Sequence, residues 1–163
     1  MNASLKPSQI VLMASGAVTF IFSFLAFLKY DSFGISKSWN AWSGEAGTLF
    51  LATWPAIFGL VVGGLVAAVA FGNVQLPEKE LTFSWPQLFF ILSAFSLLIM
   101  IGYLFGGGVG DGGPDKGIGF WFMLLGSIGL VAGSVMDLLG VGPQEAVGGG
   151  GGGAAPNQPP SPF

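Results

Sequence analysis

Asp137 is the one ionisable residue inside a long apolar run of this chain, the run 118–139. A carboxylate at membrane depth is the ordinary working part of a proton relay or an ion site, so Asp137 is a candidate polar site by type alone. Its position in the last turn of that run brings it to headgroup water, and no run holds an opposite charge. A solvated helix end therefore outweighs a coupling role. Asp111 and Asp115 lie in the segment GGGVGDGGPDKG, 106–117, and could clasp a cation. The further carboxylates and closing Glu of a calcium loop are missing, so a solvated turn fits better. Gly108, Gly110 and Gly113 in the same segment satisfy G-x-G-x-x-G. That spacing binds a dinucleotide only between a buried strand and a helix of a soluble βαβ unit, whereas here it follows an apolar run.

The rest of the composition removes chemistry. There is no His and no Cys among the 163 residues, and the five basic residues are all Lys. Thiolate and imidazole metal ligands, haem histidines, Ser-His and Cys-His pairs and disulfides are thereby excluded. No catalytic, cofactor-binding or metal-binding residue is expected, and the chain reads as no enzyme. Lys6, Lys29, Lys37, Lys79 and Lys116 are scattered singly under a formal charge of −3. The sequence thus offers no basic stripe for nucleic acid and no polybasic cluster for anionic lipid.

What must position these residues is a set of four apolar runs, 10–28, 48–71, 88–105 and 118–139. At about 1.5 Å per residue each is long enough for a bilayer core of about 30 Å. The expected fold is all-α, a four-transmembrane-helix bundle over 1–142 with a disordered Gly/Pro-rich C-terminal tail over 143–163. The run 10–28 is longer than the h-region of a signal peptide, about 7–15 residues, and ends in Lys29-Tyr30-Asp31, so it is read as a retained helix. The tail contains a Gly run, 148–153, and has too little apolar surface to offset chain entropy. Pro156 and Pro159 give a bare P-x-x-P spacing without flanking basic residues.

Lipid tails are as apolar as Leu, so helices in a bilayer associate by close approach and by hydrogen bonds. Small residues then mark the contact faces: Gly59, Gly63 and Ala67 in the second run, Gly126, Gly129 and Gly133 in the fourth, and the hydroxyl stripe Ser15, Thr19 and Ser23 in the first. Periodicity leaves open whether these faces pack within one chain or dock on a second copy or another subunit. Trp39, Trp42, Trp54, Trp85 and Trp121 are the expected interfacial anchors. Trp39 and Trp42 are three apart with Ala46 on the same helical face, which suits a short interfacial helix in 29–47; an irregular loop anchored by the two rings fits equally. Pro55 and Pro86 each follow a Trp near the start of a run. Pro86 suits a first helical turn, and Pro55 either opens the deep part of its helix or kinks it.

The stretch FIFSFLAFLKY, then NAWS, then TLFLATWPAIFGLVVG resembles the layout of small four-helix membrane proteins of actinobacteria, including relatives of the mycobacterial 34 kDa antigenic protein. The resemblance implies a compact four-span domain with a Gly/Pro/Gln-rich tail, an inner membrane, and both termini in the cytoplasm. It carries no catalytic residues. Together these readings describe a multi-pass, noncatalytic protein of the cell (inner) membrane with both termini on one side. Its expected role is an accessory or structural subunit of a cell-envelope, division or energy-transducing assembly. Its partners are then the lipid bilayer and other membrane subunits or further copies of itself, and no nucleic acid. The alternative is a small oligomeric transporter or channel subunit, against which stands the lack of a central charge in any span.

Overall fold

Proline and glutamine set where two of the helices begin. Pro7 opens α1, Pro7–Phe22, where its missing N–H is no loss, and the Lys6 N–H donates to Gln9 Oε1 at 3.1 Å. Pro86 occupies the same first turn of α3, Trp85–Gly106, and the Ser84 N–H donates to Gln87 Oε1 at 3.0 Å. Pro55 falls in the first turn of α2, Thr53–Gly72, so it opens that helix rather than kinking it. The fourth helix, α4, is Ile118–Leu138 and closes with Gly140 in the left-handed conformation, φ 64°, its N–H donating to the Asp137 carbonyl. This is a computed structural model describing residues 5–32, 34–43, 51–72, 74, 83–106 and 114–140. The expected tail, Ala46, Pro156 and Pro159, Gly108, Gly110, Gly113 and Asp111 lie outside the described residues.

The described chain is mostly helical, yet the all-α expectation requires correction because it also carries a three-stranded sheet. The apolar run 10–28 is not one helix. The helix stops at Phe22, a turn follows through Ser23 and Phe24, and the chain goes on as β1, Ala26–Ser32. Hydropathy reports only that residues avoid water; it does not report which hydrogen bonds the backbone makes. The segment expected as an interfacial helix or an irregular loop holds instead the second strand of a hairpin, β2, Ile35–Asn40, antiparallel to β1. Gly34 supplies the turn with φ 78°. On the other edge of β1 lies β3, Asp115–Lys116, giving the order β2-β1-β3. A register shift between Ala26 and Leu28 marks a bulge, which lets consecutive Phe27 and Leu28 both turn into the core.

The helices form a ring in which α1 packs on α2 and α4, and α3 packs on α4 and α2. α1 and α4 run antiparallel along their whole lengths: Ser8 meets Asp137 at one end, and the rings of Phe22 and Phe122 stack at 4.1 Å at the other. The core has two apolar layers. Phe27, Leu28, Ala41, Ala56, Met100, Phe120 and Met123 fill the end next to the sheet, and Leu12, Val62, Val66, Phe89 and Leu130 fill the opposite end. The sheet is tied to the first layer by the Ala41 N–H on the Ser23 carbonyl at 3.1 Å and the Gly117 N–H on the Phe27 carbonyl at 2.9 Å.

Candidate functional site

Between the two apolar layers the bundle narrows to a waist of glycines and hydroxyls. Sequence position places it: Gly16 and Thr19 follow Leu12, Gly59 precedes Val62, Ser93 and Ser96 lie between Phe89 and Met100, and Gly126 and Ser127 lie between Met123 and Leu130. All seven of these residues are buried. A Cβ on Gly16 would run into the Gly59 carbonyl oxygen and stand 3.0 Å from Gly63 Cα, so the backbones of α1 and α2 touch there. A Cβ on Gly126 would collide with Thr19 Oγ1 and lie 3.1 Å from the Ser15 carbonyl oxygen, and one on Gly129 would collide with Ser15 Oγ. Gly133 meets Leu12, its Cβ position 2.9 Å from Leu12 Cγ.

These approaches give the hydroxyls their partners. Thr19 Oγ1 donates to the Ser15 carbonyl at 2.8 Å, satisfying within its own helix a group that α4 covers. Ser96 and Ser127 bond across α3 and α4 at 2.9 Å. Ser134 donates to the Val131 carbonyl at 2.9 Å. Ser93 Oγ is the buried side-chain oxygen without a hydrogen-bond partner among the described residues.

The expected packing residues are thus brought together on different partners. Ser15 and Thr19 lie under Gly126 and Gly129 of α4, Thr19 also touches Gly59, and Gly63 faces Gly16 and the Leu12 carbonyl. Ala67 lines an open apolar groove of about 270 Å³ on the outside of α1 and α2, together with Gly16, Gly59, Gly63, Met13 and Phe20. Ser23 leaves the helical stripe altogether: it sits in the turn after α1, donates to the Phe20 carbonyl at 2.5 Å and accepts the Trp42 indole N–H at 2.8 Å.

The tryptophans divide by depth along the bundle. Trp42 stacks on Phe24 at 5.5 Å beside the hairpin base, Trp39 packs on the apolar layer next to the sheet, and Trp54 and Trp121 are exposed in the first turns of α2 and α4. Trp85 is at the other end, against Phe89. Thr53 Oγ1 donates to the Ala41 carbonyl at 3.0 Å, so α2 starts from the end of the hairpin.

Asp137 is half-buried in the last turn of α4, and Ser8 Oγ approaches its Oδ1 at 3.4 Å, the long limit of a hydrogen bond. Asp137→Asn keeps the acceptor and the volume, so its thermal midpoint in detergent should match the wild type within about 1 kcal/mol. A larger loss would mean that the charge itself is held in place. No group of three or more Asp, Glu, His or Cys suited to a metal ion occurs among the described residues. No protein family, curated protein or solved structure matches this chain. Function is therefore carried by geometry alone.

Sequence periodicity missed Gly16, Gly117 and the paired serines of α3 and α4. Gly16 has no small residue four positions away on its helix. Its one signal was a lone glycine in an apolar helix, which costs about 1 kcal/mol relative to Ala and so implies a packing reason.

Proposed function

We propose that this chain is a noncatalytic, four-span integral membrane protein of the cell (inner) membrane, an accessory or structural subunit working through its contact surfaces. Among the described residues three helices are long and apolar enough to cross a bilayer. The shorter α1, 16 residues or about 24 Å, follows α4 from end to end, so where α4 crosses, α1 crosses with it. Ser23, Phe24 and Leu25 would cover the remaining depth. Both termini then share one side, proposed as cytoplasmic, in keeping with the layout of small actinobacterial four-helix membrane proteins.

The observation that carries this reading is the waist. Backbone contact of Gly16 with Gly59 and Gly63, and of α1 with Gly126 and Gly129, packs α1 closely on its two neighbours at mid-depth, and the groove beside Gly16, Gly59 and Gly63 is apolar. The titratable group in α4, Asp137, lies at the end rather than the middle. A transporter needs a hydrated or charged central site, and the described interior at mid-depth holds apolar residues and hydroxyls that, Ser93 apart, are hydrogen-bonded within the protein. Meanwhile α3 is the least enclosed of the long helices, 22% buried against 44% for α4, and presents Phe95, Leu98 and Phe105 outward.

Native mass spectrometry of the tagged chain released from its own membranes tests the reading. A complex of fixed stoichiometry with a second membrane protein is the expected result. A homo-oligomer that also drives solute or proton flux in proteoliposomes would overturn it.

A further inference from the structure

We draw no further inference here: the strongest candidate, the open apolar groove on the outside of α1 and α2 lined by Ala17, Gly64 and Ala67, is an unpartnered stripe of small residues, and nothing in the structure shows what covers it.

Discussion

Gly16→Leu is expected to be the most damaging substitution in the bundle. Its Cβ alone would overlap the Gly59 carbonyl oxygen and press on Gly63 Cα at 3.0 Å, and both are backbone atoms that no rotamer change can move. The helices must separate instead. Close approach of backbones such as those of α1 and α2 is the main thing that holds helices together in lipid, so separation removes the principal attraction between them. Overpacking of this kind costs about 1–3 kcal/mol even in cores that can adjust, and a leucine against backbone should reach or pass the top of that range. Gly63→Leu should be milder, since its Cβ would stand 3.3 Å from Gly16 Cα, and Gly133→Leu should fall between the two, because its Cβ would stand 2.9 Å from Leu12 Cγ and 3.2 Å from the Leu12 backbone nitrogen.

Gly64 provides the internal control. It adjoins Gly63 but has nothing within 4 Å of its Cβ position, so Gly64→Ala should gain up to about 1 kcal/mol from helix propensity. Leu98→Ala, at a position 62% exposed, should change little. Thermal aggregation midpoints in a mild detergent rank the series. Equal midpoints for Gly16→Leu and the wild type would mean that α1 and α2 do not meet at this glycine.

Gly117→Ala should act at one end of the molecule only. The added methyl would strike the Ala26 carbonyl group, 2.6 Å from its carbon, at the point where the Gly117 N–H bonds the Phe27 carbonyl at 2.9 Å. Relief requires β1 to lift from the start of α4. That removes this hydrogen bond and strains the pairing of Leu28 with Lys116 and of Lys29 with Asp115. Each bond is worth about 1 kcal/mol, and with the packing penalty the sheet end should lose about 2–4 kcal/mol. The layer around Leu12, Val62, Phe89 and Leu130 does not touch the sheet and should hold. Trypsin reports the difference, because Lys29 and Lys37 lie on the two hairpin strands. Cleavage there should be much faster in Gly117→Ala; α2, α3 and α4 hold no trypsin site, so their persistence is read from an unchanged helical circular dichroism signal. An unchanged cleavage rate would show that the sheet is not pinned through Gly117.

The small-residue faces of α2 and α4 were legible because a four-residue spacing is a local property of a helix. Their common partner was not. Gly59 and Gly63 on one side and Gly126, Gly129 and Gly133 on the other all look onto α1, and that choice is made by the order of the helices around the ring. Gly16, the residue of α1 that lets α2 in, has no periodic companion to announce it. Ser96 and Ser127 are 31 positions apart and meet only because α3 and α4 are neighbours. Ser23 looked like the third member of a helical stripe, but the helix ended one residue earlier and the hydroxyl went to Trp42 instead.

Amino-acid type and run length by themselves determined the four apolar segments, the place of Pro86 in a first helical turn, and the absence of histidine and cysteine chemistry, since none of these needs a distant partner. Where the first apolar run stops being helical was decided by tertiary contacts. Phe27 and Leu28 are as hydrophobic as the residues before them, and only pairing of β1 with β2 and β3 under the start of α4 tells the backbone to extend. The gathering of Lys29, Lys37 and Lys116 onto one sheet has the same origin. Strand register joins residues that the sequence keeps far apart, and no local pattern encodes it.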